Sequence, residues 1–461
     1  MKDIIQKFIR EDNFLSLAGN VSIAVFGLAG FAILARSLPM ELFGEWVLFI
    51  SASSFVEMFR FGITGNGLIR FLSGAKGEEH KQLVASNAIA GLFISIGIAL
   101  LLIASRFLYE TQIDHTGFGL FFDYYPILVL VNLPWNNSIN VLQAKRRYGS
   151  ILLIRALNSG LFFLFLFWAM FNITLSLVNA VTALIWINAI TSIVCVLRKW
   201  DGLYYLRFVS MQGIKTLLDF GKYTTFTLIG TNLLRNADTF IISMSPLGPA
   251  AVALYSIPLK LTELQQIPLR SFAATAFPKM SKASIAGDMA VVRSIFYAYS
   301  GALSILFFFG SVFTFLFADT LVFILSGNNY AGTDPVTGFN AANIVRVFSI
   351  YGMLLPIDRM TGIALDSINK PKINALKVLL MVLLNIIGNV IAIFVFESLI
   401  LMAAASVLFT IAGIWLGMYF LKKKLNLTYK GIYSHGVRFY QKAWSMVGPI
   451  IGIHSFQSKQ G

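Results

Sequence analysis

Seven basic residues lie four or more residues inside stretches otherwise apolar enough to cross a membrane: Arg60, Arg155, Arg235, Lys260, Arg270, Arg346 and Arg359. Five acidic residues are available near them: Glu45, Glu57, Asp238, Glu263 and Asp358. Insertion scales put each charge near a bilayer centre at roughly 2.5 to 3.5 kcal/mol, so seven facing lipid would cost about 20 kcal/mol. Each must therefore reach the interface, find a partner or face water. Glu57 and Arg60, Arg235 and Asp238, and Lys260 and Glu263 are each three residues apart, on one helix face, which suits ion pairing. Arg270 follows Lys260 by ten residues, almost three turns, and extends that stripe. Arg155 sits close to a helix end and can snorkel. Arg346 has no acid three or four residues away. Seven against five leaves the interior net positive, and the planar fork of arginine suits two oxygens of a phosphate or diphosphate at once. Arg60, Arg235, Lys260, Arg270, Arg346 and Arg359 are thus the predicted anion-binding residues. Glu57, Asp238, Glu263 and Asp358 are candidates for ion coupling or for pairing.

Polar residues in the same stretches point to a wet interior. Asn20, Asn132, Asn136, Asn137, Asn140, Thr231, Asn232, Asn385 and Asn389 all fall within apolar runs. An amide offers donor and acceptor together, which suits sugar hydroxyls and equally suits bonds between helices. Prolines at 126, 134, 258, 268 and 356 predict bent helices.

The elements that must carry these residues follow from composition. Of 461 residues, 57% are hydrophobic and 12% charged, with a mean hydropathy of +0.76. A soluble fold cannot hide that much apolar surface. Runs of spanning length fall at about 14–37, 42–64, 84–104, 120–142, 150–171, 173–197, 222–244, 249–276, 291–317, 339–364, 374–395 and 397–421. Lipid offers no partner to unpaired backbone groups, so each is predicted as a helix. The expected fold is an all-α polytopic membrane protein with twelve transmembrane helices. A weak echo across the chain (Glu57, Arg60 and Phe71 against Glu263, Arg270 and Phe277) suggests two related halves. The predicted organisation is an N-terminal six-helix bundle over 1–197, a cytoplasmic interfacial linker over 198–221, a C-terminal six-helix bundle over 222–421, and a basic, aromatic cytoplasmic tail over 422–461. Linker and tail mix aromatic with basic residues, as interfacial helices do.

Topology follows from the sorting of Lys and Arg. Of the 36 in the chain, 27 fall on one side of this arrangement and only Arg36 and Arg106 on the other. Both termini are therefore expected in the cytoplasm. One cysteine, Cys195, and four scattered histidines exclude disulfide scaffolds and the common metal sites. No phosphate-binding glycine loop or nucleophile arrangement is present, and the outer loops are short, so neither an enzyme nor a cofactor is expected. The net charge of +15 has no soluble basic domain through which to bind nucleic acid.

The stretch Leu34-Ala-Arg-Ser-Leu-Pro-Met-Glu-Leu-Phe-Gly-Glu-Trp46 resembles the opening signature of bacterial polysaccharide-biosynthesis membrane proteins. These are the lipid-linked oligosaccharide (O-antigen-type) flippases of the multidrug/oligosaccharidyl-lipid/polysaccharide exporter superfamily. Asn236-Ala-Asp-Thr-Phe-Ile-Ile-Ser243, Ala253-Leu-Tyr-Ser-Ile-Pro258 and Phe277-Pro-Lys-Met280 resemble the same family. The resemblance implies two six-helix bundles around a central cavity. It also implies movement of a polyprenyl-diphosphate-linked glycan to the outer leaflet of the bacterial inner membrane, with membrane lipid and the polysaccharide polymerase and chain-length machinery as partners. The alternative is a drug or cation antiporter of the same fold, whose cavity should be net acidic.

The sorting of basic residues yields a direct check. Alkaline phosphatase fused after Glu110 or Gly327 is expected to be active, and after Lys76, Arg146, Lys279 or Lys370 inactive; the inverse pattern would refute the assignment.

Overall fold

The structure is a computed structural model. It describes the backbone of residues 12–72, 74–334 and 338–447, and their side chains apart from 12–18, 223–224, 226–235, 274 and 442–447. The described residues are overwhelmingly helical; outside helices they make one isolated antiparallel bridge, Thr333 with Asn340. The first helices are α1 (Asp12–Ser37), α2 (Met40–Leu72), α3 (Gly77–Leu108), the short α4 (Glu110–His115), α5 (Gly119–Val131), α6 (Leu133–Ala144), α7 (Tyr148–Asn172) and α8 (Leu177–Leu197). A 3-10 turn at Leu203–Phe208 precedes α9 (Met211–Ser243). Then come α10 (Gly248–Ile285), α11 (Met289–Leu316), α12 (Ala318–Ser326), α13 (Ala341–Ser367), α14 (Pro371–Phe394), α15 (Leu399–Leu425) and α16 (Tyr429–Val447).

All twelve expected runs fall on helices. Among the described residues, nine helices are long and apolar enough to cross a membrane: most of α1, then α2, α3, α7, α8, α11, α13, α14 and α15. The fourth expected span is broken into α5 and α6, and α9 and α10 are not among the nine. Large apolar side chains such as Phe93, Leu101, Phe107, Phe171, Trp186, Leu408 and Trp415 stand exposed. Apolar surface on that scale is what lipid, not water, tolerates. The chain is a multi-pass membrane protein.

Helix ends follow the local chemistry. Ser176, Asp288 and Ser398 each accept a bond from the backbone N–H three residues on, at the starts of α8, α11 and α15. Pro371 opens α14, where its missing N–H is no loss. Within 198–221 the helix begins earlier than the span expected from residue 222. Ser210 accepts from Gly213 N–H (3.3 Å) and starts α9 there, so residues 211–221 become part of a long helix.

The chain forms two compact units, Met1–Leu254 with Leu325–Asn329, and Tyr255–Ile324 with Tyr330–Gly461. In the first unit α9 packs along α2, and α1 along α7. The α2–α9 contact is set by glycine: a Cβ on Gly221 would lie 1.6 Å from the Ile63 carbonyl oxygen, and one on Gly67 would lie 3.3 Å from that of Leu217. Helices in lipid gain association mainly from such close backbone approach. In the second unit, Leu269, Ala273 and Met280 of α10, Phe296 and Phe307 of α11, Met360 and Ala364 of α13, and Met418 and Leu421 of α15 form one core.

Substituting Gly221→Val should force α2 and α9 apart and cost about 1–3 kcal/mol, read as a lowered melting temperature in detergent. Gly97→Ala, where no atom lies within 4 Å of the new Cβ, should leave that temperature unchanged. Equal effects would remove the glycine contact as the cause.

Candidate functional site

The site begins with a helix break. Pro134 lacks the N–H that would close the turn onto Leu130, and the helix stops at Val131 and restarts at Leu133. Breaking a span in lipid leaves backbone carbonyls that need donors. Two side chains supply them. The Ser192 hydroxyl of α8 donates to Val131 O (2.6 Å), and the Arg60 guanidinium of α2 donates to Val129 O.

Arg60 has none of its surface exposed and is the largest fully buried side chain among the described residues. It pairs with Glu57 one turn earlier (2.9 Å), and donates to Asn132 Oδ1 (2.5 Å) and Ser95 Oγ (3.1 Å). Its guanidinium also lies over the Phe61 ring, 4.2 Å from the centroid. Glu57 is held in turn: the Tyr125 hydroxyl (2.9 Å) and Asn132 Nδ2 (2.6 Å) both donate to Oε1. Asn132, at the break, thus donates to the acid and accepts from the base. The cluster ties α2, α3 and the α5–α6 junction together and is locally neutral.

Beside it opens a cavity of about 430 Å³, lined by Ser54, Glu57, Met58, Phe61, Gly62, Asn66, Asn132, Trp135, Asn136 and Asn140. Four amides, two aromatic rings and one carboxylate line it, and Arg60 does not. Gly65 makes room for Asn140, since a Cβ there would lie 2.7 Å from its Nδ2. The indole of Trp135 is fixed by donating to Asn188 Oδ1 (2.8 Å). Asn137 faces elsewhere and bonds Asn87 (3.1 Å), a helix–helix contact. Arg155 donates to Asn20 Oδ1 (2.6 Å), joining α7 to α1.

The second unit treats its charges differently. Lys260 pairs with Glu263 at 3.0 Å, and both side chains remain about one-third exposed. Arg346 pairs with Asp319 of α12 and donates to Asn343 Oδ1 (2.7 Å). Its acid lies 27 residues away, so no three-or-four spacing could reveal it. Arg270 is exposed and donates only to Gln266 (3.3 Å), while Arg359 is exposed and makes no ion pair among the described residues. Leu269 and Met360, next to these two arginines, belong to one core, so α10 and α13 both turn a cationic side chain out of the same body. Asp238 is buried. The side chain of Arg235 lies outside the described residues.

One buried charge differs from its sequence assignment. Lys377 is one of the 27 basic residues that the sequence sorting assigns to the cytoplasmic side. In the structure it is buried in α14, pairs with Asp358 (2.6 Å), and donates to Thr361 Oγ1 (3.0 Å) and the Asp358 carbonyl (2.8 Å). Pro371 starts the helix six residues earlier, and Lys377 lies inside both that helix and the expected run 374–395. The parts played by Ser95, Tyr125, Asn66 and Trp135 carry no sequence signal, because nothing in their spacing links them to Glu57.

Replacing Arg60 by Ala leaves Glu57 without its cation and should cost about 3 kcal/mol or more, seen as loss of thermal stability in detergent. The double variant Glu57→Gln/Arg60→Met should recover part of that loss. A double variant no more stable than R60A would show that the pair is not what the cluster depends on.

The family described as polysaccharide biosynthesis protein matches residues 9–284. No curated protein matches the chain by sequence. Among solved structures, the fold is similar to that of a lipid II flippase, MurJ, in an inward closed conformation (13% identity, TM-score 0.71, 95% of this chain and 96% of that one). It is also similar to an inward-facing multidrug resistance MATE family transporter of the MOP superfamily (16%, 0.70, 87% and 96%). A MOP superfamily transporter from Pyrococcus furiosus, described by the reverse polarity of its binding pocket, is a further likeness (14%, 0.58, 90% and 94%). At such identities these structures speak for the fold. The family match covers more than half of the chain, and the chain belongs to the polysaccharide biosynthesis protein family.

Proposed function

We propose that the chain is a flippase. It moves a polyprenyl-diphosphate-linked oligosaccharide of the O-antigen type from the cytoplasmic to the outer leaflet of the bacterial inner membrane, by alternating access through twelve spans with both termini cytoplasmic. The observation that carries this reading is the cavity of about 430 Å³ walled by Asn66, Asn132, Asn136, Asn140, Trp135 and Phe61. Amides match the alternating donors and acceptors of sugar hydroxyls, and the aromatic faces suit the apolar side of a pyranose ring. The diphosphate needs cations that are not already engaged. Arg270 and Arg359 are exposed and without an ion pair among the described residues, so they take that role. Arg60 acts as a positioning residue that holds Glu57 and Asn132 at the cavity wall. Arg346, Lys260 and Arg235 remain further candidates for contact with the anion. The polyprenyl tail stays in lipid, and the flipped precursor passes to polymerase and chain-length machinery outside. Moving negative charge out of a negative cytoplasm gains about 2.3 kcal/mol per charge per 100 mV, so the membrane potential assists.

A second reading has its own observation. Glu57 is the one ionisable side chain among the residues lining the cavity, and an acid there suits a drug or cation antiporter, or a coupling ion for the flippase. The two readings separate in a strain lacking the gene. The flippase reading expects lipid-linked glycan to accumulate inside and surface polysaccharide to return on complementation. Arg270→Ala/Arg359→Ala should lower surface polysaccharide tenfold or more at equal expression, each lost charge-assisted contact being worth about 1.5–3 kcal/mol. Normal surface polysaccharide with altered sensitivity to cationic drugs would establish the antiporter instead.

A further inference from the structure

The chain end carries a charge pattern that transport does not use. From Ser398 to Gly461 there are seven Lys and Arg residues and no Asp or Glu. Three of them, Lys422, Lys423 and Lys424, form the last turn of α15. Asn426 then adopts a left-handed conformation (φ 51°), and the chain turns into α16. That helix does not hang free. The Tyr297 hydroxyl of α11 accepts the Thr428 backbone N–H (2.9 Å), and the Tyr440 hydroxyl donates to Ala302 O (3.0 Å). Between these bonds the helices meet at glycine, where a Cβ on Gly436 would lie 2.4 Å from the Gly301 carbonyl oxygen.

Along this seam lies a second cavity, of about 290 Å³, lined by Ala290, Arg293, Ser294, Tyr297 and His435. The His435 ring stacks on Tyr297 with centroids 4.9 Å apart. Its Nδ1 lies 2.8 Å from Gly431 O and must donate to that carbonyl, which fixes the ring and leaves Nε2 as the uncommitted nitrogen. Arg293 is half-buried and makes no ion pair or hydrogen bond among the described residues. The acid closest to it in the chain, Asp288, is engaged as the helix cap on Val291 N–H (2.9 Å). A guanidinium and a hydroxyl that can donate, beside a fixed imidazole and with no carboxylate among the lining residues, describe a receptor for a phosphate group.

The source of that phosphate is indicated by the surroundings. Tyr429, Tyr433, Phe439 and Tyr440 stand exposed on α16, and the lysine turn of α15 marks the edge of the hydrocarbon on the cytoplasmic side. We propose that the Arg293–Ser294–His435 cavity binds the headgroup phosphate of an anionic phospholipid from the cytoplasmic leaflet, bridging α11 and α16. The proposal rests on the topology given above and is independent of which glycan is carried.

The test uses the full-length protein, delipidated in detergent and titrated with phosphatidylglycerol or phosphatidylcholine, with bound lipid read by native mass spectrometry. Wild type should retain phosphatidylglycerol over phosphatidylcholine. Arg293→Gln should weaken retention about fivefold, the worth of one charge near a membrane surface, and His435→Ala should weaken it by less. Lys430→Gln, on the same helix but outside the cavity, should change it less than twofold. Equal loss in R293Q and K430Q would overturn the proposal in favour of diffuse attraction. Equal retention of both lipids would overturn it as well. Displacement of the lipid by millimolar inorganic phosphate would show a free-phosphate site and overturn the lipid source. Surface polysaccharide measured on the same variants reports separately on transport: lost lipid retention with export intact supports a site distinct from the carried substrate. No retention by wild type, with export intact, removes this site and leaves the flippase reading standing.

Discussion

A charge taken into hydrocarbon has no water to fall back on, and the architecture of this chain is organised around supplying something else. Arg60 shows how far the requirement reaches. Its guanidinium is satisfied by a carboxylate on its own helix, a hydroxyl on α3, an amide at the α5–α6 junction and a backbone carbonyl beside that junction. Each of those groups is available only because something else is arranged. The carbonyl is accessible because Pro134 interrupts the helix, the amide because Asn132 occupies the interruption, and the carboxylate is oriented by Tyr125. Removing any one member leaves the others with unmet bonding capacity in a low-dielectric setting, where such deficits are most costly. The cluster therefore specifies a particular junction of three helices, which apolar packing alone would specify poorly.

The second constraint is the distance between backbones. Polar clusters of short side chains such as Ser95 and Asn132 work only when helices approach closely. Gly221 against Ile63, Gly65 beside Asn140, and Gly436 against Gly301 provide that approach. In the second unit Gly417 plays the same part, since a Cβ there would lie 2.9 Å from Thr361 Oγ1, the hydroxyl that accepts a bond from Lys377. Glycine and buried charge are thus coupled features: close packing brings the partners within reach, and the partners hold the packing in register.

This coupling explains what was legible in the sequence. Helical spans could be read because apolar runs report burial in lipid directly, and nine of the described helices are long and apolar enough to cross a membrane. Intrahelical pairs could be read too: Glu57 with Arg60 and Lys260 with Glu263 form as their three-residue spacing requires. Pairs between helices left no trace. Arg346 finds Asp319, and Lys377 finds Asp358, through tertiary placement that one-dimensional spacing does not encode. The start of α9 is obscured in the sequence for a different reason. The basic and aromatic composition of 198–221 outweighed a single serine cap at Ser210, although the cap decides where the helix begins. In the candidate site, the amides were legible as a group while their division of labour was not: Asn132 completes the charged cluster, Asn136 and Asn140 line the cavity, and Asn137 bonds another helix.

Sequence counting treats the interior as uniformly cationic, seven bases against five acids, and the structure replaces that sum with a distinction between engaged and unengaged charge. In the first unit the base is withdrawn from the cavity and the acid is at its wall, so the cavity is polar and near neutral. In the second unit Lys377 and Asp358 neutralise each other in the interior, and Arg346 is drawn to an acid at a helix end. What remains outward-facing and without an ion pair among the described residues is Arg270 and Arg359. The weak sequence echo between the halves therefore coexists with a chemical division: amides and rings in one, uncommitted guanidinium groups in the other. Amides and rings suit the hydroxyls and apolar faces of a sugar, and guanidinium groups without an ion pair suit a phosphate. That match, more than the net charge, is the physical ground for reading the chain as a carrier of phosphorylated glycan.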